Sequence, residues 1–254
     1  MNAAAIGVDV GSTTWKAVAV DGDGRVLVSR VRPTNPRIEE QTRRELSELL
    51  AELGNGDGAP IGATGYGRKR VGAARSLTEI TCHAKGAYLL SKSAGVLIDM
   101  GGQDTKIIRI GDGGEVLDFA MNDKCAAGTG RFLEIILGRL DVPLDDVAAY
   151  ADRAETSVSV SSTCTVFAES EVISLVAEGR PLEGIVKGLH ESLSKRVAAL
   201  AGTVPNGSAI YMSGGVALNP AMVAALSSAM GRPIDVLPHP QLVGALGAAL
   251  SVIQ

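Results

Sequence analysis

The sequence contains few cysteines, three among 254 residues, and they lie far apart. Cys82, Cys125 and Cys164 form no C-x-x-C pair, which excludes the disulfide framework of a small secreted domain and a closed structural zinc site. There are also only three histidines, and their spacing favours none of them as the partner of a catalytic thiol. Each cysteine is therefore interpreted separately, as a core side chain, a metal ligand or a reactive thiol.

The chain also lacks an excess of positive charge and long apolar segments. Its formal net charge is −4 and its pI is near 5.5, whereas nucleic-acid binding usually goes with a basic face. The longest apolar stretch, residues 242–253, is too short to cross a bilayer. The N-terminus enters a strand-like run without the cationic flank or cleavage site of a signal peptide. We expect a cytoplasmic protein that binds neither nucleic acid nor a membrane.

An internal repeat is the clearest feature that the sequence does contain. The segment "IGVDVGSTTWKAVAVDGDGRVL" at residues 6–27 aligns without a gap with "VLIDMGGQDTKIIRIGDGGEVL" at residues 96–117. The matched pairs include Asp9 and Asp99, Gly11 and Gly101, and Lys16 and Lys106. A repeat of this length indicates one structural unit that is used twice.

The order of predicted elements indicates an α/β fold. Each half begins with three strands and continues with helices, which predicts two similar lobes. We place the N-terminal lobe at residues 1–92 and the C-terminal lobe at residues 93–241. The last helix, residues 242–254, is expected to pack back on the first lobe.

Each copy of the repeat places an acid at the end of an apolar strand, followed by glycine, small polar residues and a lysine. Backbone N–H groups and hydroxyls in such a turn suit phosphate oxygens, and strand-end carboxylates suit a hydrated Mg²⁺. Two ordinary glycine hairpins are the alternative, but two copies in register favour a polyphosphate site. The candidate phosphate ligands are Gly11, Ser12, Thr13, Thr14 and Lys16 in the first copy, and Gly101 and Gly102 in the second.

Three further side chains are candidates for catalysis. Asp9 and Asp99 are predicted to position Mg²⁺ through water, and Gln103 to orient the attacking water. Two interpretations are kept for Lys106 and Asp104: each is either part of the site or a solvated strand residue.

The repeated loop resembles the phosphate 1 and phosphate 2 motifs of the actin, Hsp70 and sugar-kinase superfamily. The segment "YMSGGVALNP" at residues 211–220 is similar to the adenosine motif of that superfamily. This resemblance implies two ribonuclease-H-like lobes with ATP in the cleft. It also implies that Gly214 and Gly215 face the adenosine, with Gln241 as a further candidate, while Trp15 is unusually bulky for the first loop.

Cys125 and Cys164 each precede or begin a predicted amphipathic helix. A helix N-terminus stabilises an anion, so a thiolate is favoured there. An iron–sulfur cluster requires four thiolates, and two chains that each donate both cysteines would supply them across a twofold axis. The residues alone leave this hypothesis open beside that of two buried core cysteines.

Five segments carry a closer resemblance, namely "GATGYGR", "TEITCHAKGA", "DMGGQDTK", "MNDKCAAGTGRFLE" and "STCTVFAESEVISL". They resemble the activator (archerase) family of 2-hydroxyacyl-CoA dehydratases, with the ATPase subunits of benzoyl-CoA reductases as close relatives. The resemblance covers essentially the whole chain. It implies a homodimer with one 4Fe–4S cluster, bound by Cys125 and Cys164 of both copies. Cys82 lies within "TEITCHAKGA", and we interpret it as a structural residue.

The same resemblance implies that ATP hydrolysis gates transfer of a low-potential electron to a 2-hydroxyacyl-CoA dehydratase, with ferredoxin or flavodoxin as the external donor. An ATPase component of an aryl-CoA reductase is the alternative within the family. Gly128 and Thr129 follow Cys125 closely, so we expect one helix to link the nucleotide to the cluster. A small-molecule kinase and a non-enzymatic nucleotide sensor or assembly protein are more distant alternatives. The kinase would leave the paired cysteine motifs unexplained.

Overall fold

The computed structural model describes residues 3–54, 58–162 and 164–253. The strands are β1 Ala5–Val10, β2 Thr14–Val20, β3 Val26–Pro33, β4 Ile61–Thr64, β5 Arg75–Ser76, β6 Gly95–Met100, β7 Thr105–Ile110, β8 Val116–Asn122, β9 Ala209–Ser213 and β10 Asp235–Val236. The helices are α1 Ile38–Leu53, α2 Glu79–Ser91, α3 Gly130–Arg139, α4 Val147–Arg153, α5 Thr165–Ala177, α6 Leu182–Ala201, α7 Pro220–Met230 and α8 Val243–Leu250. None of the helices in the described ranges is long and apolar enough to span a membrane.

The strands form two five-stranded sheets with the same order. The first is β3-β2-β1-β4-β5 and the second is β8-β7-β6-β9-β10. Strands in equivalent places are those that the sequence repeat aligns, because β1 to β3 correspond to β6 to β8. In the first sheet β1 is antiparallel to β2 and parallel to β4. The repeat is therefore a repeat of topology, and the predicted α/β fold class is confirmed.

The chain divides into two compact units. One comprises Met1–Leu97, Ile108–Phe119 and Leu237–Gln254, and the other comprises Ile98–Ile107 and Ala120–Val236. The helix α8 belongs to the first of these units. The lobe limits at residues 92 and 241 stay a prediction.

The first unit buries both faces of its central strand β1, which explains why this strand is apolar at almost every position. On one face Ile6, Val8 and Val10 pack with Leu49 of α1. On the other face Ala5 packs with residues of α8. A strand that is covered on both sides is a rigid support for the loop that follows it at residues 11–14.

The position of Trp15 explains how a residue of this size fits beside the first loop. Its side chain is fully buried in the α1 face of the sheet, and its indole Nε1–H donates to Thr42 Oγ1 of α1 at 3.0 Å. An indole that is buried this way has its polar N–H satisfied. The bulky residue therefore belongs to the core under the sheet, and it does not alter the turn itself.

The contact between α8 and the sheet depends on glycine. A Cβ atom added to Gly7 of β1 would lie 1.8 Å from the carbonyl oxygen of Ala245, and one added to Gly62 would lie 2.1 Å from that of Ala248. Only residues without a side chain allow the two backbones to approach this closely. The helix is therefore held against the strands whose ends carry the first loop.

Gly7→Ala is expected to destabilise the first unit, because the new methyl group would overlap the α8 backbone. Overpacking of this kind costs typically about 1–3 kcal/mol, and a clash with backbone places the variant at the upper end or beyond. Urea denaturation of the purified protein measures the effect. Gly22→Ala is the matched control, since a Cβ atom there meets nothing within 4 Å, and its unfolding free energy should stay within about 0.5 kcal/mol. Equal midpoints for the two variants would contradict the prediction.

Two helices of the second unit, α3 and α6, bury apolar side chains. Phe132 and Ile136 of α3 and Ile185, Leu189 and Leu193 of α6 are fully or almost fully buried. The helix α5 is different, because only its Ala168 and Val172 are buried. Its apolar residues Val166, Phe167, Ile173 and Val176 are exposed in the single chain.

Candidate nucleotide and cysteine sites

The first loop is a tight turn with a buried acid at its base. The N–H group of Gly11 donates to the carbonyl oxygen of Thr14 at 3.0 Å. Antiparallel pairing of β1 and β2 places Lys16 opposite Asp9, and Lys16 Nζ donates to Asp9 Oδ2 at 2.9 Å. Ser12 is exposed, and its hydroxyl is therefore open to a ligand. The turn offers backbone and hydroxyl donors beside a paired carboxylate.

The second loop repeats this geometry. The N–H group of Gly101 donates to the carbonyl oxygen of Asp104 at 2.9 Å. Lys106 is only 3% exposed, and its Nζ lies 2.6 Å from Asp104 Oδ2 and 3.5 Å from Asp99 Oδ2. Neither Lys106 nor Asp104 is a solvated strand residue, because together with Asp99 they form one buried charge cluster.

Sequence reasoning missed Ser213, which completes this cluster. Its Oγ–H donates to Asp99 Oδ1 at 2.7 Å, so both oxygens of that carboxylate have a partner. A carboxylate is also a ligand type that suits the water shell of a hydrated Mg²⁺. The lysine balances the acid, since an unpaired buried charge is costly. The signal for Ser213 in the sequence was its place at the end of β9, directly before Gly214.

Glycines with positive φ end the fourth strand of each sheet. Gly214 follows β9 with φ of 89°, and a Cβ atom there would lie 2.2 Å from the carbonyl oxygen of Met100. Gly65 follows β4 with φ of 89°, and a Cβ atom there would lie 2.5 Å from Asp9 Oδ1. Only glycine fits either place. Gly65 is thus the counterpart of Gly214, a relation that the sequence analysis did not draw.

The segment after Gly214 is fixed by a buried histidine. Gly215 begins a short 3₁₀ helix, and Asn219 then caps α7 by accepting N–H bonds from Ala221 and Met222 at Oδ1. Asn219 Nδ2 lies 2.9 Å from Nε2 of His190, whose Nδ1 lies 2.7 Å from the Val186 carbonyl oxygen. Because Nδ1–H donates to that carbonyl, Nε2 accepts from Asn219. The neutral ring therefore holds the candidate adenosine segment in place.

Stability is expected to fall below pH 6.5 through His190. Burial lowers the pKa of His190 from 6.5, against a raising effect of the bond to Val186. The unfolded chain therefore takes up a proton at a higher pH than the folded chain, so the unfolding free energy is full above about pH 6.5 and decreases below it. Denaturation of the unaltered chain and of His190→Gln across pH 5 to 8 measures this. The stability difference between them should shrink on acidification, and a constant difference would contradict the prediction.

The start of α3 is bonded to the second loop. The N–H groups of Gly130 and Arg131 donate to the carbonyl oxygens of Gly101 and Gly102 at 2.9 and 2.8 Å. Thr105 Oγ1 also donates to the carbonyl oxygen of Gly128 at 2.6 Å. Thr129, the residue before the helix, is fully buried. This glycine-rich segment thus contacts the second loop. Its position near the nucleotide stays a prediction.

Cys125 is exposed just ahead of α3, and Asn122 at the end of β8 fixes its backbone. Asn122 Nδ2 donates to the carbonyl oxygens of Cys125 and Ala127, both at 2.8 Å, and its Oδ1 accepts from the Cys125 N–H at 3.3 Å. The thiol is therefore presented to solvent from an ordered turn.

Cys164 is exposed as the residue before α5, and Glu171 of that helix fixes the chain ahead of it. Glu171 accepts from Ser161 N, Ser161 Oγ and Ser162 N at 2.8, 2.9 and 2.8 Å. Burial raises the pKa of Glu171, but the hydrogen bonds from Ser161 and Ser162 outweigh this and bring it to about 2. The carboxylate is charged at neutral pH and holds both amides.

Arg196 of α6 reaches both cysteine segments. Its Nη2 donates to the carbonyl oxygen of Ser162 at 2.6 Å, and its guanidinium carbon lies 5.2 Å from the centre of the Phe132 ring of α3. Burial lowers the pKa of Arg196, and the charges of Cys125 and Glu171 oppose this. Arg196 thus bonds to the segment ahead of Cys164 and lies against α3, the helix that follows Cys125.

The third cysteine has a different environment. Cys82 is buried, and burial raises the pKa of its thiol to about 11 despite a hydrogen bond with Thr64. A thiol of this kind does not ionise at neutral pH, so it suits a core position. Within residues 3–54, 58–162 and 164–253, no cluster of three or more His, Cys, Asp or Glu side chains could hold a metal. Cys125 and Cys164 are exposed and could supply half of a four-thiolate set.

The remaining candidates are at the edges of these sites. Gln103 is exposed at the second loop, and Gln241 is in the short 3₁₀ helix before α8 in the first unit. The structure brings together two sets of candidates, one in each unit. The set in the first unit is Asp9, Gly11 and Lys16, and the set in the second is Asp99, Gly101, Gly102, Gly128, Thr129 and Gly214.

Two sheets of equal strand order, each with an acid–glycine loop after the strand that begins its copy of the repeat, define a duplicated α/β fold. A glucokinase of the ROK family from Streptomyces griseus shares this fold, with a TM-score of 0.63 and 16% identity over 97% of this chain and 98% of that one. The chain itself belongs to the BadF/BadG/BcrA/BcrD ATPase family, which matches residues 6–252. It is therefore an ATPase, as the sequence predicted.

Named relatives are similar over nearly their full length. The activator of lactoyl-CoA dehydratase from Anaerotignum propionicum is 42% identical over 96% of this chain and 95% of its own length. The Acidaminococcus fermentans (R)-2-hydroxyglutaryl-CoA dehydratase component A has a TM-score of 0.91 and 39% identity over 97% of this chain and 96% of that one. The activator of the 2-hydroxyisocaproyl-CoA dehydratase from Clostridium difficile, solved with bound ADPNP, has a TM-score of 0.90 and 37% identity over 98% and 94% of the two chains.

Proposed function

We propose that this chain is an ATP-hydrolysing iron–sulfur protein that delivers a low-potential electron to a 2-hydroxyacyl-CoA dehydratase. The observation that carries the proposal is the pairing of two exposed cysteines with a nucleotide loop in one unit. Cys125 precedes α3, whose first N–H groups are bonded to the carbonyl groups of Gly101 and Gly102. The relatives that are named activators or components of such dehydratases support the choice of a dehydratase as the electron acceptor.

We assign the ATP-binding roles by what each side chain offers. The two loops bind phosphate through their backbone N–H groups, hydroxyls and Lys16. Asp9 and Asp99 hold Mg²⁺ through water, and Gln103 orients the attacking water. The nucleoside lies against Gly214 and Gly215, with Gln241 as a further contact. The proposed phosphate ligands are Gly11, Ser12, Thr13, Thr14, Lys16, Gly101 and Gly102, and the segment of Gly128 and Thr129 lies near the nucleotide.

The exposed thiols of Cys125 and Cys164 suit a 4Fe–4S cluster shared by two copies of the chain. Two copies would supply the four thiolates that such a cluster requires, and the cluster would supply a one-electron redox centre. The start of α5 favours a thiolate at Cys164, and Asn122 and Glu171 hold the two cysteine segments in place.

A homodimer also accounts for the surface of α5. Val166 and Phe167, which directly follow Cys164 and Thr165, are 67% and 68% exposed in the single chain. Large apolar side chains that are exposed together commonly mark an interface between proteins. A second copy that met this helix would bury these side chains next to the cysteines.

Coupling between ATP and the cysteines follows from the bonds at the start of α3. A change in the second loop upon phosphate binding or hydrolysis moves the carbonyl groups of Gly101 and Gly102. Those groups accept from Gly130 and Arg131, so the start of α3 and the turn of Cys125 move with them. Nucleotide binding or hydrolysis thereby changes the surroundings of the Cys125 thiolate directly through the start of α3.

The proposed partners are the dehydratase and an external electron donor such as ferredoxin or flavodoxin, which places the protein in the cytoplasm. A role as the ATPase component of an aryl-CoA reductase is the second candidate. One of the subunits of the benzoyl-CoA reductase of Thauera aromatica is 30% identical over 96% of this chain and 91% of its own length. The 42% identity with the lactoyl-CoA dehydratase activator favours the dehydratase role.

Anaerobic purification followed by iron analysis and a coupled assay tests the proposal. We expect a brown dimer with four irons per two chains. With ATP, Mg²⁺ and a reductant it should activate a lactoyl-CoA dehydratase, and with ADP it should not. A colourless, iron-free protein that hydrolyses ATP would leave only a nucleotide hydrolase. Release of ADP that depends on a small-molecule acceptor would indicate a kinase.

A further inference from the structure

Arg196 occupies an unusual place in the second unit. It is a partly buried cation on α6, and it lies over the ring of Phe132 while it donates to the Ser162 carbonyl oxygen at 2.6 Å. No hydrogen-bond acceptor for its buried Nη1 is found within residues 3–54, 58–162 and 164–253. A buried guanidinium N–H without an acceptor is costly unless a further group meets it.

The charges around Arg196 point to the cysteines. Burial lowers the pKa of Arg196, whereas Cys125 and Glu171 act in the opposite direction. An arginine does not lose its proton in a protein, so the positive charge is permanent. Glu171 is already committed to the amides of Ser161 and Ser162. The geometry places this cation at the segment ahead of Cys164, where Nη2 bonds to Ser162, and against α3, which follows Cys125.

We propose that Arg196 is a positioning residue that raises the reduction potential of the cluster held by Cys125 and Cys164. This inference rests on the proposed function. Reduction adds one negative charge to a cluster whose four thiolates are already negative. A fixed cation in a partly dry environment stabilises that added charge more than the same cation in water does. A homodimer brings one Arg196 from each copy.

The bond to Ser162 gives Arg196 a second effect. It fixes the chain directly ahead of Cys164 from the α6 side, while Glu171 fixes it from the α5 side. Outer groups of this kind orient metal ligands and tune the metal. Arg196 therefore connects the geometry of Cys164 to the electrostatic environment of Cys125.

A redox titration of the reconstituted dimer tests the inference, with visible absorption as the signal. For Arg196→Gln, the ratio of reduced to oxidised cluster at a fixed potential should fall about tenfold, which is 59 mV for a one-electron couple. Arg196→Lys keeps the charge and should restore most of that ratio. Lys195→Gln is the matched control, since it removes the same charge from an exposed neighbour on α6 and should change the ratio less than about twofold.

A variant of opposite sign keeps the inference testable if Arg196→Gln folds poorly or lacks iron. Glu171→Gln removes a negative charge from the carboxylate that bonds to the same residue, Ser162, as Arg196, so its cluster should be easier to reduce than that of the unaltered chain. An unchanged or lower potential for Glu171→Gln would overturn the inference, as would Arg196→Gln with the potential of the unaltered protein. In both cases the iron and the ATP-dependent activity of the unaltered protein keep the proposed function intact. If the unaltered chain binds no iron, the proposed function itself fails.

Discussion

Cys125→Ala and Cys164→Ala are each expected to yield a protein that binds no iron and has no visible absorption, while ATP hydrolysis continues. Each substitution removes one thiolate per chain and therefore two of the four in the dimer, and two thiolates do not hold a 4Fe–4S cluster. The substitutions leave Asp99 and its bonds to Ser213 and Lys106 unchanged, so the groups proposed for hydrolysis are retained. Iron analysis, absorption and phosphate release, measured on the same anaerobic preparation, separate the two activities.

Cys82→Ala is the control for these substitutions. Its thiol is buried and its pKa is raised to about 11, so the variant should keep the iron content of the unaltered protein. The cysteine substitutions should also weaken the dimer, since the cluster would join the two copies. Retention of the chromophore by either Cys125→Ala or Cys164→Ala would remove that residue from the ligand set.

The sequence predicted most of the architecture, because the signals for it are local. An apolar run that ends in Asp-x-Gly predicts a strand followed by a turn. A second copy of this pattern at residues 96–117 predicts the duplication. The structure extends that duplication to the strand order of both sheets and to the bonds within each turn. Short elements were missed for the same reason. The helix α4 buries only Val147 and the two-residue strands β5 and β10 are exposed, so no apolar period marks them.

Much of the site depends on contacts that no local pattern reveals. Ser213 and Asp99 are 114 residues apart in the chain, and Arg196 and Ser162 are 34 apart. Asn122, Glu171 and Arg196 are ordinary polar residues in the sequence, and they gain their roles only when helices and strands bring them beside a cysteine segment. The amphipathic pattern of α5 was visible, but the sequence could not show that its apolar side chains are exposed in a single chain.

Asp99→Asn is expected to reduce ATP hydrolysis by roughly 10²–10³-fold, about 3–4 kcal/mol of transition-state stabilisation. The Asp99 carboxylate, near the end of β6, is buried and paired at both oxygens, with Ser213 Oγ at 2.7 Å and Lys106 Nζ at 3.5 Å. An amide there cannot balance Mg²⁺ or accept in the same way at both atoms. The fold should survive, since Lys106 retains its bond of 2.6 Å to Asp104. Steady-state phosphate release measures the loss, and urea denaturation checks the fold.

Asp112→Asn is the matched control, because it removes an equal charge from an exposed turn of the chain. Its hydrolysis rate should equal that of the unaltered protein. Asp9 is the equivalent acid in the first copy of the repeat. It pairs with Lys16 at 2.9 Å, as Asp99 pairs with Lys106 in the second copy. If Asp99→Asn retained more than about a tenth of the rate, Asp99 would be an acid that only balances Lys106. The Mg²⁺ of the reaction would then depend on other groups, and the assignment of the second loop as a phosphate and metal site would have to be withdrawn.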